Sequence, residues 1–459
     1  MLWGLKMEGI IICRKRVVLF FVLVFLIVGL VFPRTSLAKE GLKKRVEELE
    51  RRVEELERLL SEYKALLKEM KKEAVKPAER VEVVKPPKKP SVLSKYQMEI
   101  GGRIKIDTHY DTVAFESYND FIGVISAHPD YKGDSINFNP RDTRFDLKVR
   151  HTTGNFTGFG RIETDFYGDI LGNNIQPRIR LAYVDLTNNK TNTSLRVGQD
   201  WIPVPQQNPH MCEFGILAGG GNLWWRIPQI TLRQRYGNFE FLASLMRHRR
   251  ISVFEDQWGW PWALFRVAYS LNFLDKGSLI ALGGGYMSDR RKMAIWDEKC
   301  GKWELKGPEK RIHRWLAAFE YRLKKDPLEL KGEVWVGQGL GSHFLRYDMD
   351  YNPFTGEEIR SQGGFASLLY KTPIKNVTFA SGFGIDHNTT SDLKQFDWGE
   401  RGDYGFYKRR FKQNLVWFGN IGYQITKGIK LMLEYIHMNT MRNDVREGNR
   451  ITFSTFYSF

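Results

Sequence analysis

The polar and apolar positions of this chain follow two different periods, and the period changes near residue 96. Between residues 42 and 70, apolar residues recur in steps of four and three, whereas beyond residue 96 they alternate with polar residues. Steps of four and three align residues along one stripe of a helix, and steps of two align them on one face of a strand. The pattern predicts a helical segment followed by a long β-domain.

The alternation defines sixteen two-faced strands. In the first of them, MEIGGRIKIDTHYD, Ile100 and Ile104 share one face while Glu99 and Arg103 share the other. Most of these segments approach the length at which a tilted strand crosses a bilayer, and their even number is typical of outer-membrane barrels. The predicted strands are 98–111, 144–150, 156–166, 177–186, 192–200, 224–236, 238–246, 262–273, 278–287, 311–323, 328–338, 361–372, 376–386, 412–425, 429–440 and 450–459.

The connections between these strands alternate between short and long. Two-residue to six-residue turns alternate with long segments such as 112–143, 288–310 and 387–411, as in outer-membrane barrels with short periplasmic turns and long outer loops. A soluble sandwich would also show alternating strands, but here the apolar face is rich in aromatic residues near strand ends. We therefore predict an all-β transmembrane barrel of about 16 antiparallel strands over residues 96–459, preceded by an α-helical coiled coil.

The amino terminus has the features of an export signal. Arg14 to Arg16 precede the uncharged run Val17 to Phe32, and Ser36 to Ala38 provides small residues for cleavage. We expect a signal peptide over residues 1–38, with a retained membrane anchor as the alternative. No later stretch has eighteen uninterrupted apolar residues, so a membrane form of the mature chain must be a barrel.

Residues 39–73 carry a heptad seam that predicts a periplasmic coiled coil, followed by a Pro/Lys linker over 74–95. Val and Leu in the seam favour two strands in the first half, whereas Leu59 and Leu66 widen the stripe and favour three or more. A lone charged helix is the other reading. The seam consists of Leu42, Val46, Leu49, Val53, Leu56, Leu60, Tyr63, Leu67 and Met70.

The polar face of the β-domain is biased towards positive charge. The whole chain has 70 Lys and Arg against 53 Asp and Glu, and cationic side chains lining a pore lower the energy of an anion. The alternative is that most of these groups pair with neighbouring acids and confer no preference. The same parity also turns Arg266, Arg314 and Arg322 inward. The predicted solute pathway consists of Arg103, Lys105, Arg144, Lys148, Arg150, Arg161, Arg178, Arg180, Arg196, Arg233 and Arg235.

The connection after the fifth strand, WIPVPQQNPHMCEFGILAGGGNLWW, is long and almost uncharged. In sixteen-stranded porins the third outer loop folds into the barrel, so we expect this segment to narrow the pore. An external loop or a trimer latch is the alternative. The candidate constriction residues are Gln206, Gln207, Asn208, His210 and Glu213.

Catalytic and metal-binding motifs are missing from the sequence. HExxH, Walker and GxSxG patterns do not occur, and neither Cys212 nor Cys300 has the spacing of a zinc site. In an oxidising compartment these two cysteines could form a disulfide, which the sequence leaves open. We expect no enzyme activity, no cofactor and no metal; a barrel phospholipase is a third, disfavoured reading.

The order RDTRFDLKVRH, TGFGRIETDFYGD, PRIRLAYVDL and LRVGQDW resembles the DcaP-like porins of Gram-negative outer membranes. The resemblance covers residues 96–201 in motif and the remainder in architecture. It implies a trimer with a periplasmic coiled coil and passage of anionic solutes such as dicarboxylates. It also implies that the solute track includes Arg144, Arg178, Arg180 and Arg196.

These observations predict a passive outer-membrane porin for small hydrophilic solutes, with a preference for anions such as carboxylates. The rival reading is a structural barrel that tethers the membrane to the cell wall through its coiled coil. The expected partners are membrane lipid, further copies of the chain, anionic solutes and the cell wall, with no nucleic acid. Tyr457 and Phe459 resemble the terminal assembly signal of such barrels.

Overall fold

A computed structural model of the chain describes residues 96–115, 122–127, 133–168, 175–248, 260–299, 302–344, 346, 349–393, 410–442 and 444–459. The chain divides into two compact units, residues 1–89 and 90–459, and the described residues all belong to the second. The predicted signal peptide, coiled coil and linker lie outside the described residues. None of the helices in the described ranges is both long and apolar enough to cross a membrane.

Nearly all of the ordered backbone in the described ranges is strand. The strands are β1 Gln97–Asp111, β2 Ser135–Asn139, β3 Arg144–Thr153, β4 Phe156–Asp165, β5 Arg178–Asn188, β6 Thr193–Trp201, β7 Arg226–Tyr236, β8 Phe239–Met246, β9 Trp262–Ser270, β10 Leu279–Lys292, β11 Ile295–Asp297, β12 Lys302–Glu304, β13 Glu309–Lys325, β14 Leu328–Gln338, β15 Arg360–Lys371, β16 Val377–Asn388, β17 Gln413–Gln424, β18 Ile429–Met441 and β19 Val445–Ser458. Two short 3-10 turns cover Gly341–Phe344 and Thr390–Leu393.

Seventeen of these strands form one antiparallel sheet that closes on itself. Strands β2 and β3 both pair with β1, with Asp107 opposite Asn139 and Arg103 opposite Arg144, so they occupy a single position in the wall. The barrel therefore has sixteen strand positions, which confirms the predicted fold class. Closure occurs where β1 pairs with β19, from Arg103 opposite Ser458 to Asp111 opposite Arg450.

The alternation along each strand sorts side chains by face. On β13, Trp315 and Phe319 are 38% and 39% exposed, whereas Arg314 and Glu320, which precede and follow this pair, are 0% and 2% exposed. Apolar side chains therefore point outwards and charged ones inwards, the reverse of a soluble sandwich. A lipid-facing apolar surface around a polar lumen is the arrangement of a transmembrane barrel.

The two rims differ in their connections. Short turns such as 154–155, 237–238 and 326–327 join strands at one rim, and longer segments such as 202–225 and 339–359 join them at the other. Three details depart from the prediction. Strand β2 lies within the expected first loop, and a small hairpin of β11 and β12 lies within the expected loop 288–310. The last connection at the long rim, 442–444, is also short.

The interior is less polar than the sequence predicts. One cluster packs Trp262, Leu316 and Trp335 of the wall against Val204 and Leu223 of the connection between β6 and β7. Two further clusters join other parts of this connection to segments near residues 122–125 and 349–359. Several long connections therefore fold into the barrel, and apolar packing against strands between β7 and β18 holds them there.

Candidate solute pathway

The segment 202–225, termed here the inward loop, crosses the lumen and is fixed at its middle by β18. The backbone N–H groups of Cys212 and Glu213 each donate a hydrogen bond of 2.9 Å to the Glu434 carboxylate. The carbonyl of Cys212 accepts a bond of 2.6 Å from Lys105 Nζ on β1. The Glu213 carboxylate lies 3.3 Å from Arg450 on β19. Charged wall residues thus satisfy the backbone of a loop that water cannot reach freely.

Both ends of the inward loop are held in the same way by neighbouring strands. Gln206 donates its backbone N–H to Glu320 on β13 at 3.0 Å. Leu223 donates its backbone N–H to Glu333 on β14 at 2.7 Å. Carboxylates that accept backbone N–H groups form charge-assisted hydrogen bonds, which are stronger than neutral ones. Three wall glutamates therefore fix the inward loop along its length.

The predicted constriction residues fall into two groups. The side chain of Gln207 donates to Glu320 at 3.0 Å, and Asn208 accepts from Asn222 at 3.1 Å. These residues, like Gln206, anchor the inward loop and are not among the residues that line the cavity described below. His210 and Glu213 do line that cavity.

His210 is uncharged in this position. Its ring lies 3.7 Å from Glu329, which would favour protonation. Burial of the ring, followed by the positive charge of Lys331, nevertheless lowers the pKa of His210 to about 3. His210 therefore contributes a polar surface rather than a positive charge.

A cavity of about 590 Å³ lies between the inward loop and the wall formed by β1, β3, β5 to β7 and β15 to β19. It reaches the turn 427–428 at the rim of short turns and Arg226 at the start of β7. Its apolar lining includes Phe214, Trp224 and Phe456. Its charged lining consists of six cationic side chains, Arg103, Arg144, Arg180, Arg226, Lys427 and Lys430, and two acidic ones, Asp142 and Glu213.

Asp142 organises the first group of lumen cations. Its carboxylate lies 2.6 Å from Arg103, 2.7 Å from Arg144 and 3.0 Å from Lys105. The positive charge of these three groups lowers the pKa of the Asp142 carboxyl well below its usual range, although burial acts in the opposite direction. Lys105 also lies 3.0 Å from Asp107, so two carboxylates hold three cations and leave one positive charge unbalanced.

A second group surrounds Asp165 at the end of β4. Arg178 approaches Asp165 at 2.8 Å, and Arg180 approaches Asp165 at 2.9 Å and Glu163 at 2.6 Å. Here two acids balance two cations. The positions that the family resemblance assigns to a solute track are therefore held in local ion pairs.

The same pairing extends to the remaining predicted cations. Ten of the eleven predicted pathway residues lie within ion-pair distance of a carboxylate, and Arg150 instead lies over the Phe159 ring at 5.2 Å. Only Arg103, Arg144 and Arg180 of the eleven line the cavity. The remaining pairs are Lys148 with Glu99, Arg161 with Asp146, Arg196 with Asp185 and Asp200, Arg233 and Arg235 with Glu240, Arg266 with Glu320, Arg314 with Asp289, and Arg322 with Glu329.

Three cavity cations lack such a partner. Among the described residues, no carboxylate lies within ion-pair distance of Arg226, Lys427 or Lys430. Arg226 was not among the predicted pathway residues because the predicted strand 224–236 turns Arg233 inward, and Arg226 has the opposite parity. The run LWWR at 223–226 was the available signal, since an arginine beside aromatic residues suits a cation–π environment.

Cys212 lies beside this cavity as a buried free thiol, 3.5 Å from the Ser454 hydroxyl. Burial, followed by the charge of Glu434, raises the pKa of the Cys212 thiol. Cys300, the other half of the disulfide left open by the sequence, lies outside the described residues. Within the described ranges, no group of His, Cys, Asp and Glu side chains is arranged to hold a metal ion.

A closed sixteen-stranded antiparallel barrel with an apolar exterior, a charged interior and an inward loop defines the architecture of the porin class of transmembrane barrels. Among solved structures, the outer membrane channel DcaP of Acinetobacter baumannii is similar, with a TM-score of 0.63 and 19% sequence identity over 79% of this chain and 97% of that one. This likeness confirms, at the level of the fold, the resemblance found in the strand motifs.

Two further solved structures share the fold. An anion-selective porin from Comamonas acidovorans matches with a TM-score of 0.52 and 11% identity, over 79% of this chain and all of that one. OprB of Pseudomonas putida matches with a TM-score of 0.50 and 9% identity, over 80% and 94%. No family model matches the sequence, and no curated protein sequence matches it.

Proposed function

We propose that this protein is an outer-membrane porin through which small hydrophilic solutes diffuse passively, with a preference for anions. The observation that carries the proposal is the cavity inside the barrel, where six cationic side chains face two acidic ones. Similar barrels include an outer membrane channel and an anion-selective porin. Their names support the proposal, and the charge of this chain's own cavity gives it a physical basis.

The preference would arise from the cations that are not balanced locally. Arg103, Arg144 and Lys105 face two carboxylates, Asp142 and Asp107, which leaves one positive charge in excess. Lys427 and Lys430 add charge without a carboxylate of the described residues nearby. A positive potential inside a low-dielectric wall lowers the energy of an entering anion and raises that of a cation. Solute movement then follows its own gradient and needs no cofactor.

The inward loop would set the size limit. It occupies the lumen, and the cavity beside it is the space through which a solute would move along Arg103, Arg144 and Arg180. Because the loop backbone is bound to Glu320, Glu333 and Glu434, the constriction would be stable rather than fluctuating. This arrangement favours small solutes over large ones.

Assembly belongs to the same proposal. The heptad seam over residues 39–73 would lie in the periplasm, after export and removal of residues 1–38, and would help to join three barrels. Outer-membrane lipid would cover the apolar exterior. Chemical cross-linking of the purified protein tests this part, with a trimer band expected and a purely monomeric pattern against it.

Swelling of proteoliposomes tests the permeability claim. Glucosamine, glucose and gluconate have similar sizes and carry positive, zero and negative charge, so they separate charge preference from sieving. We expect swelling in the order gluconate, glucose, glucosamine. The reverse order would overturn the anion preference, and the absence of swelling with all three solutes would overturn the channel.

A further inference from the structure

Arg226 is the residue shared by two cavities. The cavity of about 590 Å³ lies inside the barrel, and a second cavity of about 180 Å³ lies against the outer face of the wall, where Ile179 is 56% exposed. The second cavity is also lined by Arg178 and Arg247. Among the residues that line these two cavities, no other lines both. Arg226 therefore stands at the end of the interior cavity, at the start of β7 and beside the rim of long connections.

Four aromatic rings surround the Arg226 guanidinium. Its central carbon lies 5.0 Å from the ring centroid of Trp201, 5.3 Å from Trp224, 5.2 Å from Trp225 and 5.8 Å from Phe214. These distances place the cation over the faces of the rings, where cation–π attraction acts. The rings hold the group in position, but they supply no oxygen acceptor to its N–H donors.

That partner is not supplied by the described protein. Arg226 is only 6% exposed, yet its Nη1 has no hydrogen-bond acceptor. Asp165, the acid whose charge acts on Arg226, already pairs with Arg178 and Arg180. A buried donor without an acceptor is costly, so an arriving acceptor gains more here than at a solvated arginine. The planar fork of a guanidinium suits an oxyanion in particular.

We propose that Arg226 is a binding site for the oxyanion group of a permeating solute that enters the interior cavity. This inference rests on the proposed function and deepens it. The paired arginines of the wall set the general potential, whereas Arg226 binds the solute transiently. Transport should therefore saturate with solute concentration, as it does not in a channel governed by potential alone.

The test uses the full-length purified protein in planar bilayers with sodium acetate as the probe. Wild-type conductance should saturate as the acetate concentration rises. Arg226→Gln removes the charge and the fork, and should raise the half-saturating concentration by about tenfold, the effect of losing one charge-assisted hydrogen bond. Arg226→Lys keeps the charge but not the planar guanidinium geometry, and should raise the half-saturating concentration by a smaller factor. Heat-dependent migration on a gel reports that each barrel is folded.

The matched control is Arg290→Gln, which removes the same charge from a side chain that is 52% exposed and 3.9 Å from Glu309. It should leave the saturation curve unchanged. A linear wild-type curve in an anion-selective channel would overturn the Arg226 site and leave the proposed function standing. If the curves of both Arg226 variants match that of the wild type, the Arg226 site is likewise overturned and the proposed function still stands. A cation-selective wild type would overturn the proposed function and the site together.

Discussion

Arg450 on the last strand forms a two-pronged ion pair with Asp111 on the first, with nitrogen to oxygen distances of 2.6 and 2.7 Å. Both side chains are fully buried, and the two residues are register partners at the seam of the barrel. The same guanidinium also lies 3.3 Å from Glu213 of the inward loop. One arginine therefore links barrel closure to loop position.

Replacing this arginine should weaken the barrel. Arg450→Gln leaves the Asp111 and Glu213 carboxylates buried without their cation, which costs roughly 3–5 kcal/mol of the free energy of unfolding. Denaturant unfolding in detergent or lipid measures the loss. Lys371→Gln, at an exposed pair with Asp326, serves as the control and should change little. Equal stability of the two variants would refute the role of the seam pair.

Glu434 should hold the inward loop in its position within the lumen. In Glu434→Gln, one of the two acceptor oxygens becomes an amide that repels a backbone N–H of Cys212 or Glu213, at a cost of roughly 1–3 kcal/mol. We expect larger single-channel conductance and more current noise. The control is Glu447→Gln, an exposed carboxylate on the neighbouring strand. An unchanged current in Glu434→Gln would mean that the loop is fixed elsewhere.

The stability of the folded protein should depend on pH through His210. Its pKa is lowered to about 3 from the ordinary value of 6.5, by burial and then by Lys331, with Arg322 and Lys430 acting in the same direction and Glu329 opposing. Below pH 6.5 the unfolded chain therefore takes up this proton before the folded chain does, and stability falls as pH falls towards 3. Wild type should lose stability relative to His210→Gln between pH 7 and pH 4, measured as heat-unfolding midpoints. An equal change in the unfolding midpoint of the two proteins between pH 7 and pH 4 would contradict this.

Removing residues 39–92 separates the porin from the tether hypothesis. A porin should keep its single-channel conductance in the truncated form, because the pathway lies within the barrel, although trimers should become less abundant. A tether should lose its association with the cell wall and leave blebbing envelopes. Bilayer recordings and microscopy of cells carrying the truncated protein measure these outcomes.

The alternation of the sequence predicted the wall and its two faces well. In β19, Arg450 and Thr452 are fully buried, as their parity required, while Phe453 belongs to the opposite face. The sixteen positions also followed from the pattern. The short strand β2 was missed because Pro140 and the segment to Thr143 interrupt the alternation before β3.

The alternation of polar and apolar residues could not predict which side chains contact each other inside the lumen. Asp142, which binds three cations, lies in an irregular segment between β2 and β3 and so has no predicted face. Trp262 and Trp335 fill the interior because both faces of β9 and β14 carry apolar residues, and parity does not show which loop covers them. Arg226 was missed because, in the predicted strand 224–236, it has the opposite parity to Arg233 and Arg235.

The reversal potential under a salt gradient tests the central claim most directly. Purified wild-type protein in a planar bilayer, with potassium chloride at different concentrations on the two sides and both kept low enough to limit screening, reports which ion crosses more readily. The positive excess in the cavity predicts a reversal potential of the sign set by chloride diffusion. A reversal potential of the sign set by potassium diffusion would contradict the account.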